Sequence, residues 1–512
     1  MNQHTRIAVN AGAQYFRTIT NVILGFFSTR LVLEALGDSN FGLYALIAGL
    51  VSLLSFITNA MSTTSQRFLS YHHGLNDLSL IKNIFGNIFF LHAILSILVL
   101  IILEITGLFL FDDFLNIEVG QINAAKITYR CAIFMVLCSF MASPFRGLLI
   151  SHQNLVYTSI VDVCDGILKL LIAIIVLYID NSSNVLVQYA ILMTSISVFN
   201  ILALSAFCFY NYKECRLPRI SEWDSKVILR IAGFASWVVY STCMILGRSQ
   251  GVAVVLNKFF GTIVNTAYGI AAQINGACIF ISGSILNAFN PQIIKSEGEK
   301  KHDSAIVYAK SASKLCYLMM LMAVMPLCFY METILKLWLG SVPPYSVDLC
   351  RIIILTTLSD QLTTGLSVIN KAVGKLRFYA LTVDTIKILT VPLIAVLLYF
   401  NVPLTIAFSG YLLCELISAL LRLPVVRKEL SFSIKDWCNN VLAKLLFVTA
   451  LLACYYWAIS AIFRDNIVVT VSLILSGCLL ASVISYFIVL NTDEKRIFKG
   501  LMHTLLAKII KR

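Results

Sequence analysis

The sequence is poor in charge: Asp, Glu, Lys and Arg make up 13% of its 512 residues. That is about half the share of an ordinary soluble domain, roughly 25%, so a chain with a fully water-facing surface is excluded. The signatures of soluble catalysis are also missing. There is no G-x-x-x-x-G-K-[ST] phosphate loop, dinucleotide fingerprint, His-Glu-x-x-His or nucleophile elbow. Without that loop, any work this chain does would draw on an ion gradient, a membrane potential or a solute gradient, not on its own ATPase. The 14 cysteines are scattered singly, mostly in apolar stretches, as at Cys131, Cys138, Cys164, Cys316 and Cys454. They read as small hydrophobes and predict no metal or redox centre. No small-residue cleavage site follows the N-terminal Met-Asn-Gln-His-Thr-Arg, so the first helix is expected to be retained.

Apolar residues dominate instead. They form 59% of the chain and give it a mean hydropathy of +0.86. Runs of spanning length lie near 9–34, 40–62, 84–110, 123–148, 155–179, 185–211, 227–257, 261–290, 311–331, 347–370, 377–400, 403–423, 440–463 and 466–490. The expected class is an all-α polytopic membrane protein of about 14 transmembrane helices, and not an enzyme. Its expected parts are an N-terminal six-helix lobe (1–215), a C-terminal six-helix lobe (216–430), an extra helix pair (431–490) and a basic amphipathic tail (491–512).

The formal charge of +13 does not predict a nucleic-acid partner, because the bases sit in short connections between apolar runs. Alternate connections carry Arg67 and Lys82, then Arg146, then Lys213, Arg216 and Arg219, then Lys295, Lys300 and Lys301, and further on Lys371, Lys375, Arg377, Arg427, Lys428 and Lys435. The intervening ones are short and mostly acidic. That bias predicts both termini on the inside of a cytoplasmic membrane. In the tail, Ile497, Phe498, Leu501, Leu505 and Ile509 oppose Lys495, Lys499, Lys508 and Lys511, the pattern of a helix lying on anionic lipid.

The chain also repeats itself. Tyr157, Asp162 and Leu171-Ile172-Ala173 match Tyr379, Asp384 and Leu393-Ile394-Ala395 at a shift of 222 residues, and Gly37 and Tyr44 match Gly261 and Tyr268 at 224. Arg130 and Arg351 both open the fourth helix of their halves. Six helices per repeat put both halves in the same sense across the membrane, the arrangement of two bundles around a central cavity that suits alternating access.

Polar residues inside spans should face protein or water, since an arginine at the bilayer centre costs about 2.5–3.5 kcal/mol. Gln14, Arg17, Asn21, Gly25 and Ser28 form one stripe of the first helix, and Tyr44, Ser52, Ser55, Asn59, Thr63 and Gln66 one of the second. Ser241 and Arg248 share a face of the seventh. Arg17, Asn21, Tyr44, Asn59 and Arg248 are therefore the candidate substrate-binding residues, and the guanidinium forks suit an anion, above all phosphate. In the tenth helix Asp360 belongs to a stripe with Thr356, Thr363, Ser367 and Asn370. It is placed to bind Na⁺ or carry H⁺ as coupling ion, or to pair an arginine structurally. No other cofactor is expected. Asp162, Asp165 and Lys169, and Asp384 and Lys387, have the spacing of pairs within one helix and are read as structural.

The segments Phe26-Phe27-Ser28-Thr29-Arg30, Leu36-Gly37, Phe41-Gly42-Leu43-Tyr44 and Ser65-Gln66-Arg67-Phe68 resemble the bacterial polysaccharide flippases called Wzx, of the multidrug/oligosaccharidyl-lipid/polysaccharide exporter superfamily. The resemblance implies translocation of an undecaprenyl-pyrophosphate-linked oligosaccharide to the periplasmic leaflet of the inner membrane for O-antigen or capsule synthesis. It also implies a cationic cavity, and a polysaccharide polymerase and chain-length regulator as partners. Arg30 and Arg67 lie inside the resembling segments near helix ends, and with Arg130 and Arg351 they are candidate gate or rim residues. The alternatives are a cation-coupled multidrug antiporter, for which an acidic cavity is expected, and a flippase for the peptidoglycan lipid precursor. A membrane-embedded polymerase or ligase would need a sizeable outside loop, which the short connections do not provide.

Overall fold

A computed structural model describes residues 3–52, 55–75, 77–109, 111, 121–178, 185–339, 342–460, 467–491 and 495. Apart from Asn491 and Lys495, the basic tail lies outside them. The described chain is helical, with no strand. In order the helices are α1 (Gln3–Ser52), α2 (Ser55–Gly74), α3 (Leu78–Phe109), α4 (Ile122–Ser151), α5 (Leu155–Tyr178), α6 (Val185–Asn211), α7 (Ser225–Gly298), α8 (His302–Leu339), α9 (Ser346–Gln361), α10 (Thr364–Val373), α11 (Leu376–Tyr399), α12 (Leu404–Glu429), α13 (Ile434–Ile459) and α14 (Ser472–Val489).

Among the described residues eleven helices are long and apolar enough to cross a membrane, or twelve if α9 and α10, bent by 49° at a short break, form one span. Two of the fourteen expected runs are missing from that set for identifiable reasons. The run 40–62 crosses residues 53–54, which lie outside the description. Helix α5 has the length, but Asp162, Asp165 and Lys169 fall within it, so it crosses lipid only where protein shields those charges.

The surface agrees with a lipid solvent. On α3, Leu98, Ile101, Ile102 and Ile105 are exposed along one face, while Ile84, Phe85, Ile88 and Leu91 are buried. In water such a belt would drive aggregation; in hydrocarbon it is the required exterior. Where α3 begins, Asp77 accepts from the backbone N–H groups of Ser79 (2.9 Å) and Leu80 (3.1 Å) and from the Ser79 hydroxyl. The hydroxyl first, then the backbone donors, hold its carboxyl below the usual range.

The chain divides into two compact units, residues 12–239 and residues 1–11 with 240–512. In the first, α4 packs against α2, α3 and α6, and Val32 and Leu36 of α1 join Ile172, Ala173 and Val176 of α5 and Tyr189 and Ile196 of α6 in one core. In the second, α9 packs against α8 and α12, and α10 against α8.

The sequence repeat is a structural repeat. Gly37 and Gly261 both break their long helices at φ 70°, with ψ 168° and −154°, a backbone region open essentially to glycine alone. Contacts repeat as well. Tyr44 meets Tyr189 edge to face at 4.9 Å; Tyr268 and Tyr411, their counterparts at 224 and 222, both pack on the Phe408 ring. The Tyr157 hydroxyl donates to the Ala203 carbonyl at 2.9 Å, and Tyr379 packs on Val425, with both residues shifted by 222.

Candidate functional site

In unit 12–239 the charge within the spans gathers on α5, among half-buried side chains with Lys169 exposed. Asp162 accepts a two-pronged bond from Arg146 of α4, at 2.7 and 3.1 Å, and a third bond from Arg17 of α1 at 2.8 Å. One turn on, Asp165 pairs with Lys169 at 2.7 Å and accepts from Asn200 of α6 at 2.6 Å. Beside these groups lies a polar cavity of about 370 Å³, lined by Asn59, Ser62, Ser139, Arg146, Asp165 and Lys169 among others. The cluster holds three bases against two acids. Arg17 reaches Asp162 through Nη1 alone, and 26% of its side chain remains accessible, so its fork can still meet an incoming anion.

The second unit holds a larger network. Arg248 of α7 is buried, donates to Glu415 of α12 at 2.5 Å and lies over the Tyr411 ring at 4.5 Å. Glu415 also takes Lys387 of α11 at 2.7 Å. Lys387 in turn reaches Asp360 of α9 at 3.2 Å, and Asp360 accepts from Arg422 of α12 at 2.5 Å. Arg422 further donates to the Asp360 carbonyl at 3.2 Å. Among its ion pairs three bases face two acids, and Lys371 and Asp384, within electrostatic reach, add one of each. Such a network survives in a low-dielectric interior because each charge touches an opposite one.

The two clusters have the same excess of one base but are built from different residues. At the shift of 222, Asp165, Met193 and Asn200 correspond to Lys387, Glu415 and Arg422. The second unit's network is therefore not a by-product of the repeat.

Of the residues expected at a site, Arg17 and Asn59 join the first cluster and its cavity, and Arg248 and Asp360 the second network. Asn21 lies against α5, its Oδ1 where a Cβ on Gly166 would fall, 2.6 Å away. Tyr44 is in the α1–α5–α6 core against Tyr189. Arg30 and Arg130 are exposed. Arg67, expected near a helix end with its charge out, is instead buried, its guanidinium 4.7 to 5.1 Å from the Phe68, Tyr71 and Phe234 rings, where three π faces replace water. Arg351 donates through Nε to the Cys328 carbonyl at 2.8 Å.

Several participants differ from their expected roles. Arg146, read as a loop base, lies within α4, which runs on to Ser151. Asp162, read as pairing within its own helix, binds two arginines from other helices. Lys387 does not pair with Asp384; a π-helical turn over Ala380–Asp384 changes the angular phase of α11 and turns Lys387 toward α9 and α12. Glu415 and Arg422 were missed, although a charge inside an apolar run was signal enough to find them.

No family model matches the sequence, and no curated protein matches it. Solved structures share its fold. A MATE in complex with MaL6 aligns with a TM-score of 0.69 at 13% identity, over 84% of this chain and 97% of that one. An outward-facing multidrug resistance MATE family transporter of the MOP superfamily aligns at 0.68 and 13%, over 84% and 96%. A MOP superfamily transporter from Pyrococcus furiosus, described by the reverse polarity of its binding pocket, gives 0.69 and 13%, also over 84% and 96%. At these identities the likeness shows the fold: this is a multi-pass membrane protein with the architecture of MATE transporters.

Proposed function

We propose that this chain is a transporter that works by alternating access and carries a lipid-linked oligosaccharide with a pyrophosphate headgroup across the bacterial inner membrane. The observation that supports the reading is the charge balance: in each unit the ion-paired cluster, half-buried in the first and largely buried in the second, has one more base than acid. An uncompensated positive charge in hydrocarbon is costly, and an anionic headgroup relieves it. Phosphate oxygens compete for guanidinium forks on the same geometric terms as the carboxylates of Asp162 and Glu415. The neighbour described by the reverse polarity of its pocket is a precedent for this architecture serving differently charged cargo. In the proposed orientation both termini are cytoplasmic, polymerase and chain-length regulator act downstream, and Asp360 is the site for a coupling H⁺ or Na⁺.

The test is to replace Arg17 and Arg248 singly with alanine and follow surface polysaccharide at matched protein level. Loss of export in both is expected; wild-type output in both ends the assignment. The likeness to a multidrug resistance transporter favours a second reading, cation-coupled drug antiport. It predicts drug resistance on overexpression that depends on Na⁺ or H⁺ and on Asp360, with polysaccharide output indifferent to the chain.

A further inference from the structure

Away from both charge clusters, three segments of unit 12–239 converge at the end that bears its basic connections. His73 is in the last turn of α2, His152 caps the C-terminus of α4, and Glu214 follows α6. Their donor atoms, two imidazole nitrogens and a carboxylate oxygen, all lie within 4.8 Å of one another. His73 Nε2 is 3.5 Å from Glu214 Oε1, and His152 Nε2 hydrogen-bonds the same oxygen.

Glu214 is buried, with 4% of its surface accessible, so its charge needs a partner at this spot. The His152 ring is stacked on Tyr212 at 3.9 Å with the planes 6° apart, and it meets the His73 ring at 4.2 Å. Tyr212 is itself held by Asn154, which donates to its hydroxyl at 3.2 Å. The ring that would bind an ion is thus oriented by its neighbours.

We propose that His73, His152 and Glu214 form a binding site for a divalent transition cation of the zinc type. Two imidazoles and one carboxylate are an established donor set for zinc, with bonds of about 2.0–2.2 Å and a fourth position left to water. Ligands at that distance around a tetrahedral ion stand about 3.4 Å apart; His73 and Glu214 already do, at 3.5 Å, whereas His152 and Glu214 are in direct hydrogen-bond contact and draw apart to admit the ion. The ion takes the place of the proton shared by His152 and Glu214, and both imidazoles must be neutral to ligate it. The result is a clip joining the end of α2, the end of α4 and the connection into α7. It is independent of the transport reading.

The test uses the purified full chain, stripped with chelator and then titrated with zinc, and in parallel with cobalt as a spectroscopic stand-in. Expected are one tightly held equivalent, a zinc-dependent rise in melting temperature, and cobalt d–d bands without thiolate-to-metal absorption. His73→Ala and Glu214→Gln each weaken zinc binding at least tenfold; His302→Ala, outside the site, does not. No retained zinc in the wild type would mean a hydrogen-bonded triad only. Thiolate bands would mean cysteine ligation. Either overturns the site, as does unchanged affinity in the variants. Should the variants fail to fold, the wild-type cobalt spectrum decides alone.

Discussion

Glu415 holds two cations at once, Arg248 and Lys387, so Glu415→Gln takes the carboxylate from Arg248 in the interior of the second unit and leaves Lys387 with Asp360 alone. Removing one partner of a buried pair costs about 3–5 kcal/mol, and the variant should unfold in detergent well below the wild-type temperature. Arg30→Ala and Arg130→Ala remove exposed guanidiniums and should stay within about 0.5 kcal/mol of wild type. Equal melting temperatures for all three would show that Glu415 is not the hub described. At this scale the sequence discloses the cost but not the partner. Arg17 and Arg248 stand out because arginine in an apolar run is expensive, whereas their acids lie 145 and 167 residues away, beyond any periodicity within one helix. The same distance explains why Asp162 looked like half of a local pair: its true partners come from α1 and α4.

At the scale of elements, the paired breaks at Gly37 and Gly261 were legible as matched glycines in a repeat, although their backbone angles were not. Gly261 and Gly276 make a test with opposite signs on one helix, α7. A Cβ at Gly261 would meet open space, yet φ is +70°, so Gly261→Ala should destabilise by about 1–3 kcal/mol through strain alone. Gly276, in regular helix with open space where a Cβ would point, has no such constraint, and Gly276→Ala should stabilise by about 0.5–1 kcal/mol. Thermal denaturation of the two variants in one detergent reads both; a stabilised Gly261→Ala would mean that the break is not enforced there. The π-helical turn in α11 shows the opposite case. Ala380–Asp384 holds no glycine or proline to signal a break, and only its packing against α12 exposes the change of phase that sends Lys387 across to Asp360 and Glu415.

For the whole molecule, membrane residence, the all-helical class and the two-fold repeat followed from hydropathy and internal matches, because lipid imposes a length and a polarity on every span. The charge balance of each unit could not be read that way, since it depends on which bases and acids come together in space. It makes a prediction that separates net charge from any one side chain. The double variant Asp165→Asn with Lys169→Met removes one acid and one base from the first cluster, leaves its excess of one base intact, and keeps an amide beside Asn200. Arg17→Gln changes a single group and abolishes the excess. If the excess recruits an anionic headgroup, the double variant exports polysaccharide near the wild-type level at matched expression, while Arg17→Gln loses most of it. Equal loss in both would show that the Asp165–Lys169 pair itself, and not the charge it leaves over, is what the transported molecule requires.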